Sequence, residues 1–180
     1  MDTIDRWRLA IAGFSCAILL AAVAVLSGSD RVAKPMLING DSLGQETSES
    51  FDTYVNRAAQ SIDMARADGD YVGYGLVTFT QPQSAQSVGT VVENITRVNA
   101  IQVAGSPVVG IPEPVKSTRG DYIAHQLKIH DLPINEITGV VVYDRVSVLA
   151  MLIDAPEVAA VEVLPPDAAW NRFSVRPVHY

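Results

Sequence analysis

Between Leu9 and Ser29 the chain runs for 21 residues, LAIAGFSCAILLAAVAVLSGS, without one charged side chain. As a helix rising about 1.5 Å per residue, this stretch is roughly 30 Å long, the thickness of a bilayer's hydrocarbon core. Three readings compete for it. A cleaved signal peptide has an apolar core of about 7–15 residues and a small-residue cleavage site. Here the core is longer, and the one cleavage point, after Ser27 in Val25-Leu26-Ser27, is a poor match. A lipoprotein would place its cysteine at the end of the apolar run. Cys16 instead sits inside it, behind Gly13-Phe14-Ser15. An uncleaved signal anchor over 9–29 fits best, with Trp7 at the interface and Arg6 and Arg8 on the near side.

Arg31 and Lys34 come after the anchor, so its basic flanks are balanced. The expected orientation, residues 1–8 cytoplasmic and the domain outside the cell membrane, rests on the usual layout of a short tail before a large domain. The anchor is dense in small residues, which let helices approach closely in lipid. Ala10, Gly13, Ala17 and Ala21 are therefore candidate partner-binding residues. A plain alanine-rich anchor carrying no partner fits equally well.

The net charge of −7 belongs to the chain beyond the anchor, because Asp2 and Asp5 cancel Arg6 and Arg8. An acidic domain is ill suited to nucleic acid or to anionic lipid headgroups. Cys16 is the only cysteine, which excludes an intrachain disulfide and a cysteine-ligated zinc. The sequon Asn94-Ile95-Thr96 reads as a chance match on a helix.

Residues 30–50 read as a tether with turn signals at Pro35, Asn39-Gly40 and Gly44. Residues 51–164 read as one α+β domain. Phe51, Tyr54, Val55, Ala58, Ile62 and Ala65 recur with helical spacing, with Ser48 or Ser50 as N-cap and Gly69 beyond the end. This helix is expected to pack on the sheet. Val72 to Phe79 is apolar on both parities, as in a strand buried on both faces, and Gln81-Pro82 ends it. Ser84 caps a helix with Val88, Val91, Val92 and Ile95 inside, although Gly89 in its middle costs about 1 kcal/mol against alanine.

Asn99 to Ala104 reads as a short edge or irregular segment, Gly105 to Gly120 as a loop, and Tyr122 to His130 as an alternating strand with one wet face. Gly139 to Tyr143 is a second doubly buried strand. Asp144 is expected to cap a helix through Val148, Leu149, Leu152 and Ile153, and Val158 to Leu164 returns as a strand. Val161 and Val163 should face one way and Glu162 the other. Two β-α-β units in tandem predict the split arrangement of ferredoxin-like domains, first and third strands central, with an extra preceding helix.

Residues 165–180, with Pro165-Pro166, Trp170, Phe173 and Tyr180, form an extended tail. It reads as a brace along the domain or as an arm held against a partner, in which case Trp170, Phe173 and Tyr180 bind that partner.

No residue set carries a recognisable chemistry. On a strand, His125 would be a core histidine and His130 solvated, on opposite faces, so they share no metal. Asp131 beside His130 lacks a nucleophile in a known motif. Gly69, Gly73 and Gly75 precede or lie within a strand, whereas a dinucleotide site needs them after it, so they more simply permit close packing. Asp68 and Asp70 end a helix and read as solvated. Catalytic, metal and cofactor residues are accordingly none, and no small-molecule ligand is evident.

The run Gly139-Val140-Val141-Val142-Tyr143 through Leu149, Ala155-Pro156-Glu157-Val158 and Ala160-Val161-Glu162-Val163 resembles the closing half of subtilisin-type propeptide and inhibitor domains. That likeness implies a ferredoxin-like fold, but no protease domain follows. Asn39 to Gly44, Tyr54 to Ala59, Leu164 to Asp167 and Arg172 to Pro177 are similar to small membrane-anchored proteins of actinobacteria, among them accessory subunits of the respiratory cytochrome bc and oxidase supercomplex. The expected function is thus a non-catalytic, single-pass accessory or assembly subunit that binds an integral membrane complex. The alternatives are a protease-inhibitor or chaperone-like module, and a small-molecule sensor with a pocket lined by His125 and Tyr143.

Overall fold

The computed structural model describes residues 3–27 and 40–180. The chain divides into two compact units, Met1–Asn39 and Gly40–Tyr180. In the first, α1 (Thr3–Ser27) is a helix of 25 residues, about 37 Å long. Its described side chains are Trp7, Ile11 and the run from Gly13 to Val23, all exposed. Among the described residues no helix is long and apolar enough to cross a membrane. The expectations for Asp2, Arg31, Lys34, Pro35 and the side chains of Arg6, Arg8 and Ala10 lie outside the described residues.

The second unit is a mixed α+β domain on a five-stranded antiparallel sheet. In chain order it comprises β1 (Ser42–Leu43), α2 (Phe51–Ala67), β2 (Val72–Gln83), α3 (Ala85–Val91), β3 (Arg97–Val103), β4 (Val109–Gly110), α4 (Arg119–Ile129), β5 (Ile137–Arg145), α5 (Val146–Met151), a 3₁₀ turn at Leu152–Asp154, β6 (Val158–Val163) and β7 (Ser174–Val175). The sheet order is β4-β3-β5-β2-β6, every pair antiparallel. The two strands expected at the centre, β2 and β5, pair there, with Tyr74 opposite Tyr143 and Leu76 opposite Val141.

The second strand is where sequence and structure part. Tyr122 to His130 is not a strand but most of α4, and the strand is β3. Ile123 and Leu127, four apart, are both buried and satisfy a period of two and a helical turn alike. The discriminating positions are His125 and Ile129, and both are exposed. Thr118 caps this helix by accepting from the Asp121 N–H. In β3 every residue after Arg97 is buried, which hid its alternation. Three smaller expectations also shift. β2 continues past Pro82 to Gln83, and Asn94 sits in a turn. Asp144 does not cap α5, because its carboxylate accepts from Thr96 N at 2.6 Å and Arg145 N at 2.7 Å.

One sheet face carries α3, α4 and α5, with Val77, Phe79, Ile101, Val140, Val142 and Val161 packed on Val88, Val92, Ile123, Leu127 and Leu149. Each such fully buried side chain contributes about 1.5–3 kcal/mol. Gly89 lets α3 and α4 touch, since a Cβ there would lie 2.6 Å from Gly120 Cα. The opposite face, Leu76, Ala100, Val141 and Ala160, is covered by Tyr54 and Ala58 of α2, by Leu43, and by Val178 of the tail. As expected, Ser50 caps α2, and the helix packs on the sheet. Ile62 and Ala65 reach the first face, so α2 wraps the β6 edge, where Ser61 Oγ accepts from Val163 N at 2.8 Å.

Candidate functional site

The second half of the expected tether belongs to the domain. Leu43 is fully buried, and β1 pairs in parallel with β7, Ser42 opposite Ser174. A buried clasp locks this pairing. The backbone N–H of Gly44 donates to Glu162 Oε2 at 2.6 Å, and Arg57 Nη1 donates to Glu162 Oε1. Arg57 also donates to both oxygens of Glu49, at 2.9 and 3.0 Å, and to the Gly44 carbonyl at 2.8 Å. Its guanidinium lies 5.4 Å from the ring centre of Tyr54, whose hydroxyl bonds Thr78 Oγ1 at 2.8 Å.

Glu162 occupies the position expected to face outward from its strand. It does face away from Val161 and Val163, yet it is only 3% exposed, because α2 and the 42–49 segment cover that face. Burial raises its carboxyl above the usual range, opposed by the Gly44 N–H and Arg57. Glu49 is held below that range, chiefly by its hydrogen bonds from Arg57. Perturbed acids mark active sites and structural ion-pair networks alike. Here both oxygens of both carboxylates are engaged, and Arg57 bridges them. The cluster is built to hold three chain segments together rather than to exchange protons with a substrate.

Gly44 has a φ of +94°, and a Cβ there would lie 3.0 Å from the carbonyl carbon of Arg176. The tail is fastened at further points: Ser174 N to Asp41 O at 3.0 Å, Arg176 N to Leu43 O at 2.8 Å, Gln102 Nε2 to Arg176 O at 2.7 Å, and His179 N to Gln45 Oε1 at 2.7 Å. An open groove between residues 45–49 and 176–179 is spanned by the Arg176–Glu46 ion pair at 3.7 Å.

Beside the clasp lies an aromatic cluster. Tyr74 packs on Tyr143 at 4.6 Å between ring centres, on Phe173 at 5.2 Å and on Trp170 at 5.8 Å, and all four are half-buried. Tyr180 is exposed but lies 5.2 Å from Phe51, and burial of its hydroxyl pushes its pKa up to about 12. The tail therefore lies along the domain. Of the expected binding residues, Trp170 and Phe173 come together and Tyr180 stands apart against α2. Gly13, Ala17 and Ala21 are exposed on α1, four residues apart, in the other unit.

Other expectations are corrected. His125 is exposed on α4 rather than a core histidine, and α4 covers one sheet face while Tyr143 packs with Tyr74 on the other. No pocket can be lined by both. Among the described residues no group of three or more His, Cys, Asp or Glu is gathered as a metal would require. Gly75 fits its expected role, since a Cβ there would lie 3.0 Å from Glu162 O. Sequence reasoning misses the clasp because Glu162 stands 105 residues from Arg57 along the chain, although Glu49 is only 8 residues from it. A single glutamate in the apolar strand Val158–Val163 is its only signal.

No protein-family model, curated protein or solved structure matches the chain.

Proposed function

We propose that this protein is a membrane-anchored, non-catalytic accessory or assembly subunit that binds a larger integral membrane complex. The supporting observation is α1. Phe14, Ile18, Leu19, Leu20 and Val23 cover about two thirds of the helix circumference and are all exposed, and the remaining side carries Gly13, Ala17 and Ala21. A helix apolar on all sides requires apolar surroundings, either lipid or protein. Taken with the uncharged stretch Leu9 to Ser29, this favours a single membrane span, N-terminus cytoplasmic and domain outside. Gly13, Ala17 and Ala21 then form a stripe for a partner helix, with Ala10 extending it by sequence.

The strand order and directions favour a ferredoxin-like domain with α4 inserted between its two β-α-β units. This agrees with the resemblance to propeptide and inhibitor domains. The inhibitor role is disfavoured, because Val178 is buried and the tail that would enter a protease is fastened to the domain. The partner implied by the second resemblance is the respiratory cytochrome bc and oxidase supercomplex.

Solubilisation in mild detergent followed by native electrophoresis tests the proposal. Migration above monomer mass with co-purifying membrane proteins is expected, and Gly13→Leu with Ala17→Leu should release those partners while the chain stays in the membrane fraction. Migration at monomer mass alone would overturn the reading.

A further inference from the structure

We infer that the entry segment, residues 40–51, and the tail, residues 172–180, form a shear clasp. Tension applied between the chain just ahead of Gly40 and Tyr180 loads the bonds between the two segments together, so the domain resists pulling along that line out of proportion to its equilibrium stability. The inference concerns the domain alone and does not depend on the function proposed above.

Three observations carry it. The first is direction. β1 and β7 pair in parallel, and the two segments stay side by side beyond that pair. A side chain at Gly40 would lie 3.5 Å from Arg172 O. Asp41 O accepts from Ser174 N at 3.0 Å, Leu43 O from Arg176 N at 2.8 Å and Gln45 Oε1 from His179 N at 2.7 Å, and the ring of Phe51 lies 5.2 Å from that of Tyr180. The chain thus enters at one end of a parallel ladder, and Tyr180 stands at the other. Pulled from these ends, the segments must slide past each other. The bonds of a parallel pair run across the strands, so sliding strains them together, whereas peeling would break them one at a time.

The second is that both segments are fixed to the body of the domain. The Gly44 N–H donates to Glu162 Oε2 at 2.6 Å, its carbonyl accepts from Arg57 Nη2 at 2.8 Å, and Leu43 is fully buried. In the tail, Arg176 O accepts from Gln102 Nε2 at 2.7 Å, and Val178 is buried. Neither segment can slide without uncovering apolar surface and parting a buried carboxylate from its donors.

The third is the path of the load. All of the five-stranded sheet lies between Gly44 and Arg176 in the chain, yet the two segments are bonded directly. While the clasp holds, force passes from entry to tail without crossing the sheet. Tyr180 is exposed, so a partner gripping it would draw directly on the chain ahead of Gly40.

Forced unfolding reports the barrier to unfolding and not the equilibrium stability, which separates a clasp from a merely stable core. Full-length Cys16→Ser protein in detergent would be pulled in optical tweezers through a cysteine replacing Asn39 and another added after Tyr180. Gln102→Leu removes the bond to Arg176 O together with a buried oxygen, Oε1, that has no partner among the described residues. It should shift the rupture force downward at equal pulling rate, and Gly44→Ala should shift it further. Gly89→Ala, at the helix crossing on the other face of the sheet, should lower the melting temperature and leave the rupture force unchanged. Should Gly44→Ala fail to fold, Gln102→Leu and Gly89→Ala still decide the matter. A rupture force that falls as far in Gly89→Ala as in Gln102→Leu, or that Gln102→Leu leaves unmoved, would overturn the inference.

Discussion

Arg57 on α2 and Glu162 on β6, 105 residues apart in the chain, meet under the segment by which the chain enters the domain. Glu162 is almost fully buried and pairs with no other cation among the described residues, while Arg57 keeps about a third of its side chain in water. Removing one partner of a fully buried pair costs about 3–5 kcal/mol. For Arg57→Met, the partial exposure and the remaining Gly44 N–H bring the expected loss to about 2 kcal/mol. Arg57→Lys should recover little of it, because an ammonium cannot reach Glu49, Glu162 and the Gly44 carbonyl at once. Urea unfolding of the three proteins, compared at constant slope, measures both effects.

The two glutamates of the clasp should give pH dependences of opposite sign. Glu49, held low by Arg57, loses its proton more readily in the folded chain. Its contribution is present above its ordinary value of about 4.5 and is lost as the pH falls through its folded value. Glu162, raised by burial, binds its proton more tightly when folded. Its ionisation costs nothing at low pH, and the cost sets in as the pH rises from about 4.5 through the raised value. Glu49→Gln should therefore flatten the acid loss of stability. Wild-type stability relative to Glu162→Gln should decline as the pH rises across that window. Unfolding titrations over the acid-to-neutral range check both slopes.

At the crossing of α3 and α4, Gly89→Ala sets two effects against each other. Alanine gains about 1 kcal/mol of helix propensity. Its methyl group would lie 2.6 Å from Gly120 Cα and 3.3 Å from the Arg119 carbonyl carbon, which is backbone that cannot rotate away. Overpacking of this kind costs about 1–3 kcal/mol, so clash and propensity together should leave the variant destabilised. A lower melting temperature is expected, and an unchanged or higher one would show that the helices can separate cheaply.

How each segment is buried decides what could be read from the chain. β2 and β5 carry apolar residues on both parities, and only central strands covered on both faces need that, so their place in the sheet was legible. The N-caps Ser50 and Ser84 were legible because capping is local chemistry. α4 was not, because Ile123 and Leu127 fit both periods and only the exposure of His125 and Ile129 separates them. Gly89 is a cost with no return until Gly120 stands opposite it. The clasp joins Gly44, Glu49 and Arg57, neighbours in the chain, to Glu162, which lies 105 residues beyond Arg57, and no local pattern announces such a meeting. The segment before Ser50 reads as a tether because its turn residues are those of a linker, yet Leu43 and Gly44 are the points at which the tail is held.

Gly44 makes the last of these relationships testable. At φ +94° an alanine is strained, and its methyl group would also press on the Arg176 backbone. The substitution pushes β1 away from β7 and lengthens the bond from the Gly44 N–H to Glu162, so the cost falls on the join between the two ends of the domain and leaves the central sheet intact. Global stability should drop by about 1–3 kcal/mol. Native-state hydrogen exchange should show where: the amides of Gly44, Ser174 and Arg176 lose protection by more than that drop accounts for, while Val140 to Val142 in β5 slow or speed only with the global value. Equal loss at both sets would mean that the clasp and the sheet unfold as one cooperative unit, and that the tail is no separate strap.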